Sequence, residues 1–155
     1  MSDSSITKEQ AIIKLQRYCA YQERCHQEVR NKLIKLKVYG DDLEDVISSL
    51  IGEGFLNEER YARAYVRGKA RIKRWGKMKI LGQLKARQIS EYCIRKGFEE
   101  LDPSMNMENI RHWVKKVEQD HKNMEPYLLD RKIVVYLNNK GFSYEEVQGF
   151  RNLED

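Results

Sequence analysis

Arg60, Arg63, Arg67, Arg71 and Arg74 recur at spacings of 3, 4, 4 and 3 residues. On a helix those intervals bring five guanidinium groups to one face. A guanidinium is charged at any physiological pH and offers a planar fork of donors, so such a stripe suits phosphates and carboxylates. Its chemistry is recognition, with no bond made or broken. Lys73, Lys77 and Lys79 lengthen the positive surface, and Lys85 and Arg87 carry it further. From Arg60 to Ser90 there are eleven Lys or Arg residues and no acid, whereas Asp41 to Glu59 holds seven acids and no base. The whole chain is +5, so everything outside the basic stretch sums to −6. A field concentrated in this way draws a polyanion or an acidic protein surface. The alternative is a solvated helix face on an ordinary basic protein.

Ala62, Tyr65, Val66 and Ile72 lie off the arginine face and are expected to pack inward. Reversing the charge of Arg63, Arg67 and Arg71 is therefore expected to leave the fold intact. Tyr61, Tyr65 and Trp75 stand near enough to stack on bases. The favoured reading is that Tyr65 is core and the other two partly cover it.

Catalysis has little support. Gly76 and Gly82 stand alone, without the form of a phosphate-cradling loop, and the three His residues lack any nucleophile–base arrangement. Cys19, Cys25 and Cys93 have no metal-ligand spacing and read as structural. Asp41, Asp42, Glu44 and Asp45 read as the acidic start of a helix. No catalytic residue, metal or cofactor is expected.

The elements that hold the stripe are short helices. Apolar periodicity places them at about 8–21, 25–36, 42–51, 58–74 and 77–86, then after Ser90, over about 107–121, from Pro126 to Gly141, and after Ser143. Thr7 with Gln10 and Ser143 with Glu146 have capping-box spacing, and Asn57 and Ser90 are further caps. Asp102 to Asn106 reads as a polar connection. The helices repeat in threes. Ile12, Ala62 and Ile110 are spaced by 50 and 48 residues, and Val29, Ile80 and Ile133 by 51 and 53. Leu33, Leu84 and Leu137 keep the second set of offsets, and Val38, Ile89 and Phe142 follow five residues later. The expected fold is all-α, an elongated tandem array of three three-helix modules over 1–52, 53–101 and 102–155.

The run GEGFLNEERYARAYVRGKARIKRWGKMKILGQL, Gly52 to Leu84, resembles the RecX family of RecA regulators. Gly54-Phe55-Leu56, Arg60-Tyr61-Ala62, Tyr65-Val66-Arg67, Trp75-Gly76, Lys79-Ile80 and Leu84 carry the pattern. Glu28-Val29-Arg30 with Lys32-Leu33, and Lys140-Gly141-Phe142 with Val147, extend it to the outer modules. Asn57 stands where the family often has Asp. The resemblance implies a non-enzymatic cytoplasmic protein that binds the RecA filament on single-stranded DNA and inhibits its ATPase and strand exchange. It places Arg60, Arg63 and Arg67 in the family's most characteristic helix, and Lys77, Lys79 and Ile80 in the next. Weak direct DNA binding is expected beside the RecA filament, and a stand-alone basic helical nucleic-acid-binding module acting without RecA is the alternative. The opening MSDSSITKEQ has no apolar run and no window approaches the ~20 apolar residues of a membrane span. A cytoplasmic monomer with no membrane contact is expected.

Overall fold

Several helices begin where a side chain accepts a free N–H group of the first turn. The computed structural model describes residues 5–154; the outermost residues of the expected first and third modules lie outside this range. Among the described residues there are nine helices and no strand: α1 Lys8–Tyr21, α2 His26–Lys35, α3 Gly40–Gly52, α4 Glu58–Arg71, α5 Lys77–Ala86, α6 Glu91–Phe98, α7 Pro103–Asp120, α8 Pro126–Asn139 and α9 Tyr144–Glu154. Thr7 and Gln10 close a reciprocal capping box on α1, and Ser143 and Glu146 close another on α9. Asn57 caps α4 through the Arg60 N–H at 2.9 Å, and Ser90 caps α6 through the Cys93 N–H at 3.2 Å.

Two boundaries differ from the sequence reading. The segment Asp102 to Asn106 is helical, because Asp102 accepts from the Ser104 N–H and Pro103 opens the first turn. That extra turn sets Met105 against the second core and Met107 against the third. At the other boundary, α4 stops at Arg71 instead of 74. Ile72 then turns outward and is 79% exposed, contrary to the inward packing expected of it. Arg74 has a φ of 54° and stands beyond the helix, so it leaves the arginine stripe.

The helices bury three cores in chain order. Leu15, Val29, Leu33, Val46 and Leu50 centre the first. Val66, Ile80, Leu84 and Ile94 centre the second, and Ile110, Ile133, Leu137 and Phe142 the third. Val29, Ile80 and Ile133 are fully buried at equivalent places, as are Leu33, Leu84 and Leu137. The register slips by one residue in α1. Ala11, not Ile12, is fully buried, since Ala11 shares a face with Leu15 just as Ala62 does with Val66 and Ile110 with Val114. The second helix of each module ends in the same turn. Lys37, Gln88 and Gly141 take positive φ, and the next N–H donates back to Leu33, Leu84 or Leu137.

Neighbouring modules touch, and the array is open. Cys25, the N-cap of α2, is buried in the second core, and His26 faces Glu58 at 3.6 Å. Helix α4 packs on α7 across the second junction. The surface area is 9767 Å². A compact globule of this mass would expose roughly 8,200 Å². A row of small cores leaves that larger surface.

Candidate nucleic-acid interface

Helix α4 presents its arginines on one face, but most of them meet carboxylates of this same chain. The Arg60 Nε donates to Glu23 at 2.7 Å, and its Nη2 to the Gly54 carbonyl at 3.0 Å. Arg60 thereby ties α4 to the connection after α1. Arg63 sits among three acids. Its Nε donates to Glu59 at 3.2 Å, Nη1 to Glu100 at 2.9 Å and Nη2 to Glu99 at 2.9 Å. Arg67 donates to the other oxygen of Glu100 at 3.0 Å. Glu99 and Glu100 follow α6, which lies along α4, so these pairs clamp the two helices together. The Arg63 guanidinium holds the Glu99 carboxyl below the usual carboxylate range, and Arg67 with Arg63 does so for Glu100. The acids that neutralise Arg63 and Arg67 thus come from outside the acid-free stretch. Charge reversal at Arg63 and Arg67 would face these acids with like charge, so the two positions carry part of the α4–α6 contact. Glu59, four residues before Arg63, was the available sequence signal.

Arg74 belongs to the second junction. Its Nη1 donates to Asn109 Oδ1 at 3.1 Å, and its carbonyl accepts from Trp113 Nε1 at 2.8 Å. Asn109 is 2% exposed, and its Nδ2 donates to the Ala70 carbonyl at 2.9 Å. Arg71 and Lys73 are exposed and have no hydrogen-bond or ion-pair partner among the described residues. Lys77 stands 4.9 Å from the Phe98 ring centroid and Lys79 4.7 Å from that of Trp75. The aromatic assignment also changes. Tyr61 is 6% exposed and is the buried tyrosine, while Tyr65 and Trp75 are half-buried and hold cations over their faces. Burial raises the Tyr61 phenol above its ordinary range. Among the described residues no cluster of His, Cys, Asp or Glu could hold a metal, and no helix is long and apolar enough to cross a membrane.

Residues 57–97, which carry the arginine helix, match the family described as RecX, second three-helix domain. A relative from Bacillus cytotoxicus named "Regulatory protein RecX" is 26% identical over 90% of this chain. Two solved structures share the fold over 94% of this chain. The crystal structure of a regulatory protein RecX has a TM-score of 0.86 at 21% identity and is covered over 73% of its length. That of RecX from Lactobacillus salivarius has a TM-score of 0.84 at 23% identity and is covered over 95%. These matches support the RecX family for this chain. It spans about half the length, 52%, of the Bacillus relatives it matches.

In this chain, similar to RecX proteins, the fold adds cations that the sequence reading left out. Lys140 ends α8, and its Nζ stands 4.4 Å from the Trp113 ring centroid and 5.5 Å from that of Tyr136. Burial lowers its pKa from the ordinary lysine value, and the charges of Lys79, Lys116 and Lys73 lower it further. Lys73 and Lys79 come from the second three-helix unit and Lys116 and Lys140 from the third. Nothing in the local sequence joins them, since they meet only when the two modules dock.

Proposed function

We propose that this chain is a non-enzymatic negative modulator of RecA that binds the RecA filament on single-stranded DNA and inhibits its ATPase and strand exchange. The observation that carries this reading is the RecX match over 57–97, which falls on the unit with the concentrated positive charge. The names of the relatives, regulatory proteins, agree with a role in control. In this reading the modules are 1–52, 53–101 and 102–155, and 53–101 leads recognition as one protomer lies along the filament. Of the eight cations picked out by spacing, Arg71, Lys73, Lys77 and Lys79 are the outward contacts. Arg60, Arg63, Arg67 and Arg74 set the frame that presents them, because their guanidiniums are already engaged within the chain.

The test is RecA-dependent ATP hydrolysis on single-stranded DNA with this protein titrated in. Hydrolysis is expected to fall as the protein is added, and Arg71→Glu with Lys73→Glu is expected to shift the titration to higher concentration with unchanged circular dichroism. An unaltered hydrolysis rate at saturating protein overturns the reading. The unpaired Arg71 and Lys73 also favour a second reading, a nucleic-acid-binding module acting without RecA. Binding to bare DNA with no effect on RecA would select it.

A further inference from the structure

Lys79 and Lys140 stand side by side at the junction of the second and third modules, where the charges of Lys73 and Lys116 also act on Lys140. Two backbone hydrogen bonds set their positions. The Gly76 N–H donates to the Lys140 carbonyl at 2.7 Å, and the Met78 N–H donates to the Gly141 carbonyl at 3.0 Å. The fit is so close that a Cβ on Gly141 would stand 2.6 Å from the Lys79 Cβ. Lys79 and Lys140 are therefore neighbours by backbone contact, not by chance of side-chain orientation. Each ammonium sits over an indole, Lys79 on Trp75 and Lys140 on Trp113. Among the described residues Lys73, Lys79 and Lys140 make no ion pair, and Lys116 shares its charge with Asp120 at 3.0 Å. On α4's arginine face, Arg60, Arg63 and Arg67 have acids of their own. This cluster has none at its centre, so its mutual repulsion is left for a ligand to relieve.

We propose that this junction is a phosphodiester site: Lys73, Lys79 and Lys140, with Lys116, contact the backbone of single-stranded nucleic acid across two modules. Phosphate fits better than an acidic protein face. Lys73 is exposed, Lys79 and Lys140 are partly exposed, and the indole faces beneath the latter two are already covered. Protein interfaces, in contrast, centre on apolar and aromatic contact and are poor in lysine. Phosphate contacts need only point charges at suitable spacing and carry no base preference. The inference deepens the reading of Lys73 and Lys79 as outward contacts and assigns them DNA where RecA was the other choice.

The test uses no RecA, so its outcome is separate from that of the ATPase assay. The full chain is titrated with a labelled oligothymidylate over a range of salt, alongside Lys79→Gln, Lys140→Gln, the double variant and Lys140→Arg. Each Lys→Gln change should reduce the slope of log affinity against log salt by about 0.7. The double variant should lose about twice that, and Lys140→Arg should keep the wild-type slope. Lys35→Gln, on the first module, should also keep it. Circular dichroism identifies any variant that fails to fold; for such a variant, competition against the wild type is read instead. There, unlabelled oligothymidylate should displace the label and polyglutamate of equal charge should not. A wild-type slope in the double variant, no binding by the wild type, or equal displacement by polyglutamate would overturn the assignment.

Discussion

Gly76 and Gly141 lie backbone against backbone, and a Cβ on Gly141 would stand 2.6 Å from the Gly76 carbonyl oxygen. Gly141 also has a φ of 102°, which L side chains rarely adopt. A Cβ on Gly76 would come within 2.8 Å of the Phe142 ring. Only glycine at both places allows the turn after α8 to press on the start of α5. The contact is what turns two adjacent modules into one surface.

Gly141→Ala is therefore expected to destabilise the fold by about 1–3 kcal/mol, through backbone strain and a lost junction contact. Thermal unfolding measures the loss. The fluorescence of Trp75 and Trp113, which flank the junction, should change in the folded variant. An unshifted melting curve with unchanged emission would show that the junction tolerates the side chain.

Asn109→Ala tests the buried polar bridge between the same modules. It removes the donor to the Ala70 carbonyl and the acceptor of Arg74, leaving both without that partner. The expected cost is about 1–3 kcal/mol in denaturant unfolding. A double-mutant cycle with Arg74→Ala should show coupling, because the two residues share one hydrogen bond.

The α4–α6 clamp should make stability sensitive to acid. Glu99 and Glu100 have carboxyls held below 4.5, the ordinary value, when folded. Their contribution is fully present above that ordinary value and is lost as pH falls through the lowered folded values. Wild type should thus melt higher than Arg63→Gln at neutral pH, with the difference narrowing at pH below about 4.5. A difference that is constant with pH would assign the loss to Arg63 packing instead.

Leu84→Ala and Ile72→Ala should behave oppositely. Leu84 is fully buried in the second core, so truncation should cost about 2–5 kcal/mol. Ile72 is exposed after the end of α4, and its truncation should stay within about 0.5 kcal/mol of wild type. Chemical denaturation of the two variants side by side measures both.

The sequence by itself determined the local elements and their threefold recurrence. Capping residues such as Thr7 and Ser143, and apolar intervals such as Val29–Leu33 and Ile80–Leu84, act within one or two helical turns, so their signal is local. The arginine spacing in α4 was likewise legible, as was the charge it carries. Tertiary structure decided which of those charges remain available. Glu23, Glu99 and Glu100 lie 33 to 37 residues from the arginines they neutralise, a pairing that depends on how α4 packs and on no local pattern. It also decided where cations without acids gather. Lys140 reaches Lys79 because Gly141 lacks a side chain and two backbone amides close the junction, whereas sequence distance alone would keep them apart.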